Sequence, residues 1–172
     1  IYLAERNRYV IGIDASVTML KICQEKVWKM CLNNINFLNC DISSIGQVIN
    51  EKVDLIICSS VLEYLDDVDN SLKVLSSLMK KSSFLIFSVP NKTSLYRRVE
   101  KLFFHVFGRP KYYNYVKNIY TLKEIEAKLN AGSFKVLESK YFGKTFFISY
   151  VFRNIGLPQY SEKMFVVVAQ QP

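Results

Sequence analysis

The chain has 172 residues, half of them apolar, 14% aromatic and 22% charged, which suits one folded domain with a sizeable core and excludes a disordered chain. The formal net charge is +8. Between Lys92 and Lys123 eight basic residues meet one acid, Glu100, so any basic surface for nucleic acid or membrane is local to that stretch.

In chain order, residues 1–7 read as the end of a helix. Tyr9–Ile13 is a continuous apolar run of strand length, closed by Asp14. Ser16 is placed as an N-cap, and Leu20, Cys23, Val27 and Met30 or Cys31 then share one helical face up to Asn33-Asn34. Ile35–Cys40 alternates and ends at Asp41; Ile42–Asn50 is a weak helix or turn. Val53–Ser59 reads as a second buried strand. Asp69 or Asn70 is placed to cap a helix with Leu72, Leu75 and Leu78 or Met79 on one face, ending at Lys80-Lys81 near the negative end of its dipole. Phe84–Val89 is a further strand, stopped by Pro90.

This alternation of strands and helices predicts a mostly parallel sheet with helices on both faces. The tail differs. Thr121 and Glu124 form a capping box, with Tyr120 and Ile125 as its hydrophobic staple, and Gly132 closes the helix. Phe134–Tyr141 and Lys163–Ala169 read as two strands of an antiparallel hairpin with a long connection. No apolar run approaches the roughly 18–20 residues that span a bilayer; the longest, Phe146–Phe152 and Met164–Ala169, have strand length.

Cys23, Cys31, Cys40 and Cys58 form no CxxC pair and have no nearby histidine, so the sequence predicts no metal site. Each sits within an apolar pattern, and they read as buried free thiols in a reducing, cytoplasmic compartment. Residues 1–8 show no signal-peptide layout.

The strongest chemical signal is Asp14. In doubly wound folds ligands sit at the carboxyl ends of the strands, where an acid holds ribose hydroxyls. The local alternative is a strand-end acid serving the following helix. Asp41 carries the same ambiguity, since it can close an Asx turn ahead of Ser43-Ser44. Glu63, Asp66 and Asp67 read as a solvated cluster rather than a catalytic pair. His105, the only histidine, reads as a side chain packed among Leu102, Phe103, Phe104, Val106 and Phe107. Tyr113 and Lys117 match a YxxxK spacing that this composition produces about once by chance.

The segment Tyr96–Phe107 is amphipathic, with Val99, Leu102, Phe103 and Val106 on one side and Arg97, Arg98 and Lys101 on the other. It reads as a lid over a substrate, a membrane-surface helix, or a helix packed on the core with a solvated basic face. Basic and aromatic residues interleaved in this way also suit RNA.

Val10-Ile-Gly-Ile-Asp14-Ala-Ser-Val-Thr-Met19-Leu20, then Asn39-Cys-Asp41-Ile42, then Val53-Asp-Leu-Ile-Ile-Cys58 through Asp67, then Phe87-Ser-Val-Pro-Asn91 stand in the order and spacing of conserved motifs. Together they resemble class I S-adenosylmethionine-dependent methyltransferases, in particular the small-molecule enzymes of quinone biosynthesis, over residues 1 to about 142. The resemblance implies a Rossmann-like, doubly wound α/β fold whose first strand and Gly-rich loop precede Ile1. It implies a single methyltransferase domain over 1–172 without that N-terminal part, with 92–119 as a lid or substrate-side insertion. It implies S-adenosyl-L-methionine as cofactor. Asp14 would bind the ribose hydroxyls, with Ala15, Ser16 and Met19 beside ribose and adenine. Asp41 and Ile42 would meet the adenine, Cys58 and Ser59 would supply backbone near the methionine part, and Leu62 would border the pocket. Where the family often has histidine, this chain has Tyr64. The implied activity is methyl transfer to a small-molecule acceptor that is anionic, phenolic or lipid-soluble, with peripheral membrane contact. The sequence names no catalytic base. The alternatives are an RNA methyltransferase using residues 92–123, a nicotinamide-dependent oxidoreductase that would share Asp14 but whose own catalytic set is not found, and a non-catalytic remnant.

Overall fold

A computed structural model describes residues 1–143, 152 and 154–172. The chain divides into two compact units, Ile1–Asn50 and Glu51–Pro172. Each carries its own sheet.

In the first unit the apolar run ending at Asp14 forms β1 (Val10–Asp14), and the alternating run forms β2 (Ile35–Asn39). They pair in parallel from Val10 opposite Ile35 to Asp14 opposite Asn39. Helix α1 (Val17–Lys29) crosses between them and buries Leu20 and Val27. Ser16 caps it, as its sequence position predicts, accepting from the Met19 amide. Gly12 is required where it stands: a Cβ there would lie 2.7 Å from the Phe37 ring on β2. The weak helical stretch yields one turn, α2 (Ile45–Val48). Residues 2–6 are turns rather than a helix end, and Asn34 ties them down by donating to the Ala4 and Asn7 carbonyls.

In the second unit β3 (Val53–Ser59) pairs in parallel with β4 (Met79–Pro90). Helix α3 (Val68–Ser77) joins them and is capped by Asp67, which accepts from the Asn70 amide, so the cap lies two residues before Asp69. The helix also stops earlier than Lys80-Lys81. Those lysines belong to β4, where Lys80 pairs with Asp54 of β3 at 2.8 Å. Cross-strand pairing to an acid outweighs the dipole preference that suggested a helix end.

The tail folds as α4 (Leu95–Phe107), α5 (Leu122–Ala131), β5 (Lys135–Phe142) and β6 (Met164–Gln170). The capping box of α5 is present in both directions. β5 and β6 pair antiparallel, as the sequence predicts, and β6 inserts between β4 and β5 to give the order β3-β4-β6-β5. One face of β4 and β6 makes the core: Leu85 faces Ala169, Phe87 faces Val167 and Val89 faces Phe165, all at 1% exposure or less. Ile125 and Leu129 of α5 and Leu72 and Leu75 of α3 complete the buried set. Each such large side chain stabilises the fold by about 1.5–3 kcal/mol.

Among the described residues, β1 and β3 each have a ladder partner on one side only. Leu55 and Ile57 of β3 are accordingly exposed, where the sequence suggests a buried strand. The apolar stretch 146–152 lies outside the described residues except for Phe152. No described helix is long and apolar enough to cross a membrane.

Candidate functional site

The first unit brings its predicted site residues to one end of its sheet. Asp14 closes β1, and Ala15, Ser16 and Met19 follow on the turn into α1, all exposed. One Asp14 oxygen, Oδ1, accepts the Ser16 amide at 2.7 Å, so the carboxylate is held at the strand end while remaining open to solvent. The local role and a binding role are thus compatible, because a carboxylate has acceptor capacity beyond one bond. Asp41, just beyond β2, makes the expected Asx turn: Oδ1 accepts from the Ser43 amide at 2.8 Å and its hydroxyl at 2.7 Å. Ile42 is half-buried beside it.

Asn39 is the residue that sequence reasoning passed over. Its side-chain amide donates to the backbone carbonyls of Asp14 and Ala15, both at 3.0 Å. It stands opposite Asp14 in the ladder, so the register itself places the clamp. An asparagine ending a strand is common, and only the pairing reveals what it holds.

The second unit holds the remaining predicted residues at the end of β3. Of the four cysteines expected to be buried only Cys58 is; Cys31 is exposed and Cys23 and Cys40 are half-buried, because their apolar neighbours in sequence are not all on a covered face. Burial with the nearby Glu63 charge pushes the Cys58 thiol up to about 12, so it stays protonated. The Ser59 hydroxyl lies 3.2 Å from that of Ser88 on β4, which also accepts the Ser60 amide. Ser60 adopts a left-handed backbone, φ 53°, turning the chain sharply out of the strand. Leu62 follows in a short 3₁₀ turn (Leu62–Tyr64) and is fully buried.

Glu63 departs from its expected place in solvent. It is 4% exposed, and its Oε2 has no hydrogen-bond partner. Burial raises its carboxyl above the ordinary value, opposed by a bond from its own backbone and by Arg97. Asp66 does stay exposed, paired with Lys117, while Asp67 is the cap of α3. The turn carrying Glu63 is fixed from outside: the Lys117 and Asn118 amides donate to the Glu63 carbonyl, and Asn118 Nδ2 donates to the Leu65 carbonyl at 2.6 Å. Beside it lies a cavity of about 260 Å³ lined by Ser60, Glu63, Tyr64, Arg97, Tyr113 and Met164 among others.

Helix α4 keeps Arg98 and Lys101 in solvent, as expected, but exposes its apolar side as well, which counts against the reading of a helix packed on the core. Arg97 points inward and pairs with Glu100 at 2.8 Å, with both side chains near 11–12% exposed. Tyr112 closes the group, accepting from Arg97 at 2.8 Å and donating to Glu100 at 2.6 Å. Burial and the Glu100 bond push its phenol well above the usual range. Val99, Leu102, Phe103 and Val106 face solvent instead, and His105 is exposed rather than packed. The competing principle is charge pairing: a complete Arg–Glu–Tyr group takes the protected side of the helix. Among the described residues no three His, Cys, Asp or Glu side chains gather to hold a metal.

Residues 1–138 match the family described as "Methyltransferase domain". No curated protein gives a significant match. Among solved structures, the chain is similar to magnesium protoporphyrin IX methyltransferase from Synechocystis PCC 6803 with bound SAH, at 20% identity and a TM-score of 0.71 over 100% of this chain and 68% of that one. It is similar to a SAM dependent methyltransferase from Archaeoglobus fulgidus, at 18% identity and a TM-score of 0.64 over 99% and 90%. A third is the N-methyltransferase NodS from Bradyrhizobium japonicum WM9 in complex with S-adenosyl-l-homocysteine, at 14% and 0.66 over 99% and 70%. At these identities the likeness speaks for the fold, and the family match speaks for the chain. The match over residues 1–138, with the α/β topology beside it, establishes that this chain belongs to the methyltransferase-domain family.

Proposed function

We propose that this protein transfers the methyl group of S-adenosylmethionine to a small-molecule acceptor. The observation that carries the proposal is the Asp14 carboxylate, held at the carboxyl end of β1 by the Ser16 amide with its carbonyl clamped by Asn39. Parallel strands present ligand-binding groups at that end.

When bound, S-adenosylmethionine supplies an electrophilic methyl group on a sulfonium, so no protein side chain has to form a covalent bond. The residues bind and orient. In the first unit Asp14 would accept from the two ribose hydroxyls, Ala15, Ser16 and Met19 would flank ribose and adenine, and Asp41 and Ile42 would meet the adenine edge and ring. Taken by itself, the second unit offers the Cys58 and Ser59 backbone at the end of β3, suited to the methionine part of such a cofactor, with Leu62 buried close by in sequence. Glu63 is the group suited to receive the acceptor's proton: it is a buried carboxylate beside a cavity, with a raised pKa that makes it a stronger base.

Two of the similar structures are a magnesium protoporphyrin IX methyltransferase and an N-methyltransferase. Such precedents support a small-molecule acceptor here, and the cations around α4 favour an anionic, phenolic or lipid-soluble one, with contact to an anionic membrane where it is lipid-soluble. The four free thiols suit a reducing compartment, and a cytoplasmic setting belongs to the same proposal.

Titration calorimetry tests it. Asp14→Ala should weaken S-adenosylmethionine binding by about 1–3 kcal/mol, the worth of hydrogen bonds to a charged group. Equal affinity in variant and wild type would remove Asp14 from the site.

A further inference from the structure

Helix α4 turns its apolar side to solvent. Val99, Leu102 and Val106 are each more than 60% exposed, and Phe103 and Phe107 are half-exposed or more. At the helical step of about 100° per residue, these side chains and Leu95 share an arc of about 140°. Arg98, Lys101 and His105 lie along one edge of that arc, and Arg109 and Lys111 follow the helix. At the other edge stands the one acid of the segment, Glu100, largely buried and neutralised by Arg97 with Tyr112 bonded to it. The outward surface of α4 is therefore apolar side chains with exposed cations along one edge and no exposed acid. Open grooves of about 770 and 600 Å³ run along its two sides, so the helix stands proud of its unit.

We infer that α4 is a membrane-surface helix that docks on an anionic lipid bilayer. Its apolar arc sits at the boundary of headgroups and acyl chains, and Arg98, Lys101, Arg109 and Lys111 lie at the lipid phosphates. Thirteen residues make a helix about 20 Å long, too short for a hydrocarbon core about 30 Å thick, so it lies in the membrane plane. Tyr96 and Tyr115, both exposed, supply aromatic rings of the kind that settle at the interface.

Charge complementarity selects lipid over the other occupants. A second copy docked face to face would bring like cations together across a two-fold axis. A single-stranded nucleic acid would use the cations but gain little from Val99, Leu102 and Val106, since bases stack on aromatic rings. The inference draws its purpose from the proposed reaction, because a lipid-soluble acceptor is met at such a surface. Its test reads vesicle binding and not methyl transfer, so the two can fail separately.

The experiment is flotation of the full chain with vesicles of phosphatidylcholine alone and of an equal mixture with phosphatidylglycerol, at low and high salt. Binding to the mixed vesicles should exceed binding to neutral ones by about tenfold or more and fall with salt. Leu102→Ser with Phe103→Ser and Val106→Ser should lose association with both. Arg98→Gln with Lys101→Gln should lose the anionic preference and most of the salt dependence. These positions are exposed, so thermal melting should be unchanged, and the single Phe103→Glu variant gives a second reading. Absent binding to anionic vesicles, or full binding by the triple variant, would overturn the inference. So would a dimer in sedimentation that the triple variant dissolves, or tight binding of single-stranded RNA that only the charge variant abolishes.

Discussion

The side-chain amide of Asn39 donates to the carbonyl oxygen of Asp14 at 3.0 Å, so the last residue of one strand fixes the end of its neighbour. Asn39 acts on the proposed cofactor site only through Asp14 and the adjoining Ala15. Asn39→Ala should therefore cost S-adenosylmethionine affinity about 1 kcal/mol, the net worth of a hydrogen bond. In a double-mutant cycle with Asp14→Ala the two losses should fall well short of additive. Calorimetry checks this, and full additivity would show that Asn39 acts elsewhere.

Burial raises the Glu63 carboxyl, so the folded protein holds that proton more tightly than the unfolded chain. The stability that the protonated form confers is complete below the unfolded carboxylate value and is lost as pH rises through the raised folded value. Glu63→Gln removes this pH dependence. It should be more stable than wild type at about pH 8 and close to it near the ordinary carboxylate range. Urea unfolding across pH measures the difference. Turnover should fall about 10²-fold or more in the same variant if Glu63 accepts the proton; a wild-type rate would strip it of that role.

Gly12 faces the Phe37 ring at a distance that no Cβ tolerates. Gly12→Ala should destabilise the first unit by about 1–3 kcal/mol through overpacking. In a Phe37→Ala background the same change should cost little, because the obstructing ring is gone. Chemical denaturation of the four variants separates the clash from any general effect of losing glycine.

The Arg97, Glu100 and Tyr112 group offers a different kind of test. Glu100→Ala leaves the largely buried Arg97 guanidinium without its carboxylate, while the exposed Tyr112 phenol can turn to water, and should cost about 3 kcal/mol. Hydrogen exchange should localise the loss to α4 and to the short 3₁₀ turn after it (Lys111–Tyr115), leaving the β4–β6 core protected.

The strands, the Ser16 cap and the Thr121 capping box were legible in the sequence because each depends on neighbours in the chain. Asp14 stood out for the same reason, as an acid ending an apolar run. Glu63 did not, because its burial is imposed by Lys117 and Asn118, more than fifty residues away. Asn39 was hidden because its partners lie across a ladder. For α4 three readings stayed open in the sequence, because periodicity identifies two faces without saying which is protected. There the pairing of Arg97 with Glu100 and Tyr112 decided it, and Tyr112 lies beyond the helix.

The place of β6 between β4 and β5 has a consequence for how the chain is made. During synthesis β4, already flanked by β3 on one side, and β5 both emerge before the strand that lies between them, and each waits with an unpaired edge until Met164–Gln170 follows. The second unit therefore cannot close in step with translation: its central strand arrives last, and the buried pairs of Leu85, Phe87 and Val89 form in one late event. A nascent chain stalled before Met164 should be open to proteases from β4 onward, whereas both strands of the β1–β2 ladder lie within the first 50 residues.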